Sequence, residues 1–208
     1  MKTGVQVFGE HELLDRILKG ERHYSHCISI RSPDQQMHDL IPANFEEVLE
    51  LKYYDVERED QLPDYFADMR APRLEDARSV IDFVHRTRNR ATGYTIHCWH
   101  GHSRSTAVAM GVLFMLLGSE EKAADYLVRV RPEPKPSPNR AILGHFDQLL
   151  GSKLLFYGQK LQDRWLEGLR REILETLWPE DEVEELPVVE DDGLLRKAQK
   201  ARGVLGLP

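Results

Sequence analysis

The sequence predicts an α/β fold with a central, mostly parallel sheet flanked by helices. Three observations carry that expectation. Short apolar runs of strand length, at residues 5–8, 24–30, 48–54 and 94–96, alternate with stretches of helical period. Strands joined through helical crossovers pair in parallel, and the crossovers cover the sheet faces. One of the strands, residues 94–96, runs through a polar turn into a largely apolar helix, the usual strand-to-helix unit of such a sheet.

The elements follow in order. Residues 5–8 (VQVF) form a first strand. Residues 10–18 form a short helix with Leu13, Leu14, Ile17 and Leu18 on one side, ended by Gly20. Residues 24–30 (YSHCISI) form a second strand, closed by the turn RSPDQQ. Residues 48–54 (VLELKYY) form a third and lead into an acidic loop, residues 55–60; residues 61–72 carry two prolines and no clear period. Residues 73–86 make a helix in which Leu74, Ala77, Ile81 and Val84 recur at helical spacing, with Pro72 suited to its first turn. A basic loop, RTRNRATG, precedes the fourth strand and reads as a solvated turn. Residues 106–117 (TAVAMGVLFMLL) form a buried helix stopped by Gly118. Ser119 caps the next, residues 120–130, which turns Ala123, Ala124, Leu127 and Val128 inward. After the proline-rich RPEPKPSPN, Asn139 caps a helix carrying Ile142, Leu143, Phe146, Leu149 and Leu150. Residues 161–178 have an amphipathic period, with packing back on the domain the default. Residues 179–192 are acidic, and a last short helix is expected near 194–202. The expected organisation is a catalytic domain over 1–157, an amphipathic helix over 158–178 and an acidic, flexible tail over 179–208.

The chemistry concentrates at His97-Cys98-Trp99-His100-Gly101-His102-Ser103-Arg104-Ser105. This loop opens onto a helix N-terminus, where backbone N–H groups lack intrahelical partners and the macrodipole is positive. A loop curled round its own N–H groups cradles phosphate, so residues 99–103, with Trp99, His100, Gly101, His102 and Ser103, are candidates to surround it. Gly101 supplies a backbone conformation that a Cβ disfavours. Arg104 offers a planar fork for two phosphoryl oxygens. A field that holds phosphate also favours a thiolate, which makes Cys98 the candidate nucleophile.

These residues resemble the His-Cys-x-x-Gly-x-x-Arg-Ser/Thr signature of the cysteine-dependent protein tyrosine phosphatases, and all five fixed positions are met by His97, Cys98, Gly101, Arg104 and Ser105. Arg131-Pro132 and Pro138-Asn139 are similar to a pattern common in the dual-specificity members, with the gap between them stretched. The resemblance covers residues 24–151. It implies a phosphatase-type sheet, attack by Cys98 on phosphorus to give a phosphocysteine, binding of the phosphoryl oxygens by Arg104, help from Ser105 as the thiolate leaves, and a loop-orienting role for His97. It implies neither metal nor cofactor. Lysines that accompany highly charged substrates in the family are absent from the variable positions; His100 and His102 are either partly cationic or neutral wall residues.

The resemblance also implies an aspartic acid, on a loop after an earlier strand, that protonates the leaving oxygen and later activates water. Asp55, Asp60, Asp64 and Asp68 all precede Cys98. Spacing favours Asp68. Strand context favours Asp55, at the end of the third strand, because the ends of parallel strands assemble such sites. Asp55 is preferred, with residues 61–72 read as an insertion.

Composition narrows the partners. The chain has 208 residues, a formal net charge of −7 and 41% hydrophobic content. The acidic balance argues against nucleic acid and against anionic membrane surfaces. The run 107–118 is too short to span a bilayer. The first residues lack a signal-peptide pattern. The two cysteines, Cys27 and Cys98, fit a reducing, cytoplasmic setting; Cys27 sits in an apolar run and lacks the following Gly and Arg, so it reads as a small buried hydrophobe. The expected substrate is a phosphorylated protein or small phosphoester, phosphotyrosine first, with phosphoserine and phosphothreonine open. The alternative is a catalytically weak phospho-binding module of the same fold. Low-molecular-weight phosphatases open on this loop, whereas here it stands mid-chain; rhodaneses fit the flanking His97 and Ser105 less well.

Overall fold

In the computed structural model, which describes residues 4–61 and 70–177, the elements run β1 (Gly4–Gly9), α1 (Glu10–Leu18), β2 (His26–Arg31), α2 (Leu40–Asn44), β3 (Glu47–Lys52), a 3-10 turn (Glu59–Gln61), α3 (Leu74–Thr87), β4 (Gly93–Cys98), α4 (Arg104–Leu117), α5 (Glu120–Val130), α6 (Arg140–Leu150) and α7 (Leu154–Leu177). The chain divides into two compact units, Met1–Leu166 and Glu167–Pro208. Of the second, the described stretch 167–177 is helical.

The four strands form one sheet in the order β1-β4-β2-β3, and every pairing is parallel. All carboxyl ends therefore lie along one edge, where open α/β sheets build their sites. Strand β4 lies inside the sheet and every one of its residues is buried, which is why it reads as a continuous run rather than an alternation.

Period-two alternation assigns the strand side chains to two layers. Val5, Val7, Ile28, Ile30, Tyr94 and Ile96 join the larger core with residues of α3, α4, α5 and α6, notably Val80, Val84, Val108, Val112, Leu127 and Phe146. On the other face Phe8 and Cys27 join Leu13 of α1, Ile41 of α2 and Phe45. Helix α4 is buried over its first ten residues, so its apolar character all round reflects a helix enclosed by others. Cys27 is fully buried and burial pushes its thiol far above the ordinary range, as a small core hydrophobe requires.

The departures from expectation are local. Strand β3 ends at Lys52: Tyr53 N still reaches Arg31 O at 2.9 Å, but Tyr54 N turns to Arg70 O at 2.9 Å, so the chain has left the sheet before Asp55. Helix α2 has five residues and Pro42 in their midst, too few for a period to register. The helix expected from residue 158 or 161 begins at Leu154, because Asp147 accepts the N–H groups of Leu154 at 2.6 Å and Leu155 at 3.0 Å and so starts it earlier. The expected tail, 179–208, lies outside the described residues. Among the described residues no helix is long and apolar enough to cross a membrane.

Candidate active site

The loop from Cys98 to Arg104 is held from outside by its carbonyls. Trp99 O accepts Glu10 N at 3.2 Å, His100 O accepts Arg131 Nη2 at 3.3 Å and Gly101 O accepts Arg131 Nε at 3.1 Å. His102 O accepts Ser137 N at 3.0 Å, and Ser103 O accepts Asn139 N at 3.4 Å. In a trans peptide the N–H of the next residue points opposite to the carbonyl. Five consecutive carbonyls turned to these supports thus turn the N–H groups of residues 100–104 the other way, into an anion cradle. Gly101 has φ +70° and lies against the end of β1, where a Cβ would stand 2.4 Å from Gly9 N. Both facts restrict the position to glycine.

Arg131 is 5% exposed and also donates to Val7 O at 3.4 Å, and its guanidinium pairs with Glu12. A single side chain from the proline-rich loop thereby ties the cradle to β1 and α1. Thr106 Oγ1 donates to His102 O at 2.5 Å and Ser103 O at 2.8 Å, closing the turn into α4.

A pocket of about 360 Å³ opens above this cradle, lined by Asp55, Cys98, His100, His102, Ser103, Arg104 and Pro134. Cys98 is 2% exposed and its Sγ–H donates to Ser105 Oγ at 3.2 Å. Arg104 is anchored along one edge, Nη1 donating to Tyr53 O at 3.0 Å and Ser32 Oγ at 3.4 Å, while Nε has no hydrogen-bond partner and lies 3.8 Å from Asp55 Oδ2. A guanidinium fixed on one side keeps its remaining donors for a ligand. Asp55 Oδ1 accepts Ser103 Oγ–H at 2.7 Å and Asn139 Nδ2 at 3.0 Å. Ser103 stands at the N-cap of α4 without a capping hydrogen bond, and its hydroxyl donates to Asp55.

No protein-family model matches the sequence, and no curated protein matches it. Among solved structures, DUSP15 superposes with a TM-score of 0.51 at 18% identity, covering 78% of this chain and 92% of that chain. The chain has the dual-specificity phosphatase fold. Tk-PTP in its active form gives 0.47 at 17% identity, over 74% of this chain and 94% of that one. The human tyrosine phosphatase-like serine/threonine/tyrosine-interacting protein gives 0.47 at 17%, over 69% and 85%.

Within this phosphatase-type fold the candidate residues fall as follows. Cys98, His100, Gly101, His102, Ser103, Arg104, Ser105 and Asp55 gather around the pocket or its floor. Trp99 contributes its carbonyl to the cradle's support, but the residue is 39% exposed and its ring meets His11 edge to face at 5.3 Å. His97 is fully buried, neither ring nitrogen has a hydrogen-bond partner, and burial together with the nearby Arg31 charge pushes its pKa down to about 3. It is a neutral imidazole behind Cys98. Asp60 pairs with Arg58 at 2.9 Å and does not line the pocket. Asp64 and Asp68 lie outside the described residues. Of the basic stretch before β4, Arg86 in the last turn of α3 and Arg90 in the loop pair with Glu47, at the opposite end of the sheet from Cys98.

Three contributors are not evident from the sequence. Arg131 and Asn139 stand in dipeptides that mark a resemblance, yet their contacts cross 30 residues to Gly101 and 84 to Asp55. The Tyr53 carbonyl that anchors Arg104 is a backbone group and leaves no compositional trace.

Proposed function

We propose that this chain hydrolyses phosphate monoesters, phosphotyrosine foremost, through a phosphocysteine on Cys98. The observation that carries the reading is the sharing of one pocket by the Cys98 thiol, the half-anchored Arg104 guanidinium and the Asp55 carboxyl. In this mechanism Cys98 first gives its Sγ proton to solvent, and the thiolate attacks phosphorus in line with the ester oxygen. Arg104 and the N–H groups of residues 100–104 bind the equatorial oxygens and compensate their charge in the transition state. Asp55 gives its proton to the departing oxygen, so the product leaves as an alcohol or phenol. In the second step Asp55 takes a proton from water, the water oxygen bonds to phosphorus, and the S–P bond breaks. Ser105, 3.2 Å from Sγ, then rotates its hydroxyl to donate to the leaving thiolate.

The test is hydrolysis of p-nitrophenyl phosphate and a phosphotyrosine peptide, in EDTA because no step is assigned to a metal, by the wild-type chain and Cys98→Ser. Turnover by the wild type and its loss in Cys98→Ser, with phosphate still bound, is the expected result. A wild type that binds the phosphopeptide without turnover is a binding module, and turnover by Cys98→Ser removes the phosphocysteine.

A further inference from the structure

The first turn of α1 meets the cradle and its support through three consecutive residues. Glu10 N donates to Trp99 O at 3.2 Å, the His11 ring stands edge to face against the Trp99 ring at 5.3 Å, and the Glu12 carboxylate pairs with Arg131. Arg131 carries the last of these onward. Its Nη1, the nitrogen that meets Glu12, also donates to Val7 O at 3.4 Å, while Nη2 reaches His100 O at 3.3 Å and Nε reaches Gly101 O at 3.1 Å. Glu12 is itself held in place, since its neighbour Leu13 is fully buried in the second core layer and Arg16 approaches it from the next turn at 3.7 Å. A carboxylate so near an anion cradle opposes the anion by its charge, so what Glu12 contributes there is geometry.

We propose that α1 is a strut of the phosphate cradle and that Glu12 is its positioning residue, fixing the Arg131 fork from behind. This role rests on the loop Cys98–Arg104 being the phosphate site of the reading above. With Nη1 anchored on Glu12, the planar guanidinium has one orientation in which Nη2 and Nε meet the carbonyls of His100 and Gly101 together. Those two carbonyls, turned outward, keep the N–H groups of Gly101 and His102 turned into the cradle. Without Glu12 the Arg131 side chain, 7% exposed, is a buried cation lacking its counter-charge. It then gains by tilting towards water, and both carbonyls lose their fixed donor. Glu12 itself is 37% exposed, so truncating it opens no core cavity and acts through Arg131 alone.

The experiment measures inorganic phosphate binding by calorimetry in the full chain carrying Cys98→Ser, alone and with Glu12→Ala or Glu12→Gln. The same Glu12 variants, with Cys98 intact, are assayed on phenyl phosphate, whose leaving group needs a proton, and on 2,4-dinitrophenyl phosphate, whose leaving group does not. Glu12→Ala is expected to weaken phosphate binding about tenfold and to lower kcat/KM equally on both esters, whereas loss of an acid falls harder on phenyl phosphate. Glu12→Gln recovers most of the loss, because its neutral amide oxygen still accepts from Nη1. Melting curves accompany each variant, since a merely structural role moves the melting temperature and not the affinity of the folded chain. Charge alone predicts the opposite sign, so phosphate binding in Glu12→Ala equal to or tighter than in its parent overturns the strut. A Glu12→Gln chain as weak as Glu12→Ala, or a loss confined to phenyl phosphate, overturns it as well. If the Cys98→Ser parent binds no phosphate, the reading of the loop fails and the strut with it. If the parent binds and Glu12→Ala binds equally well, only the strut fails.

Discussion

Arg104 shows how much one side chain's chemistry depends on what holds its far edge. Nη1 is committed to the Tyr53 carbonyl and to Ser32, so the fork is aimed before any ligand arrives. A lysine could reach the carbonyl or the phosphate but has no rigid plane with which to serve both. Arg104→Lys is expected to lower kcat/KM on an aryl phosphate on the order of 10²–10³-fold; steady-state rates within a few-fold of wild type would make Arg104 an anchor for the strand alone. His97 carries a different prediction. Its folded pKa is about 3, below the value near 6.5 of an unfolded histidine. As pH falls through the unfolded value, the unfolded chain takes up a proton that the folded chain refuses. Stability from this site is therefore complete above about pH 6.5 and declines towards pH 3, by up to about 1.4 kcal/mol per pH unit. Urea unfolding of the wild type and His97→Asn across that range should show the wild-type advantage shrinking as pH falls. Parallel curves would place the proton elsewhere.

Among the elements, the cradle loop is the one with no tolerance. Its φ of +70° at Gly101 and the 2.4 Å approach of a Cβ to Gly9 N are both backbone constraints, and backbone at the end of β1 cannot swing aside as a side chain could. Gly101→Ala is expected to cost roughly 1–3 kcal/mol from the strained conformation, more if β1 must move, and to lower turnover by disordering the N–H array. Thermal unfolding with kinetics checks this, and a variant as stable and active as wild type would show that the loop has another resting place. The loop after β3 is the second decisive element. Asp60 pairs with Arg58 in solvent, so Asp60→Asn should match wild type on both leaving groups while Asp55→Asn does not. Asp64→Asn and Asp68→Asn belong in the same series; leaving-group selectivity in Asp68→Asn alone would mean that spacing, rather than proximity to the strand end, identifies the acid.

For the whole molecule, every group in the proposed mechanism belongs to the unit Met1–Leu166. The first turns of α7 are integral to that unit: Leu154 and Leu161 are buried in the larger core, and Gln162 Nε2 donates to Ser137 Oγ at 2.9 Å in the loop that supports His102. A chain ending at Leu166 is expected to fold and to keep kcat/KM within about threefold of the full chain, since the described core and cradle residues all precede that point. A chain ending at Lys153 would expose the surface that Leu154 and Leu161 cover, at about 1.5–3 kcal/mol for each buried leucine, and would slacken the proline-rich loop. Circular dichroism melts and aryl phosphate kinetics on the two truncations test this. A 1–166 chain that folds but does not turn over would assign residues 167–208 a part in the reaction.

The parallel sheet and the Cys98–Arg104 loop were legible in the sequence because each is written locally. Largely apolar strands of three to seven residues alternate with helical periods, and the nucleophile, the glycine and the arginine stand within seven positions of one another, so one turn of chain brings them together wherever it sits. Asp55 was legible only as one of four carboxylates, and the strand expected to run into it stops at Lys52. Spacing favours Asp68 and the strand end favours Asp55. In the structure Asp55 reaches the pocket through its pairing with Ser103 and Asn139, residues 48 and 84 positions away, while Asp60 pairs with Arg58. Arg131 is the same case: as sequence it is one basic residue before a proline, and as structure it joins two loop carbonyls to β1 and α1. Contacts of that reach carry a loop-closure entropy cost that burial of the core between the sheet and α4, α5 and α6 offsets. The reacting groups are thus a property of the sequence, and their supports are a property of the packed fold.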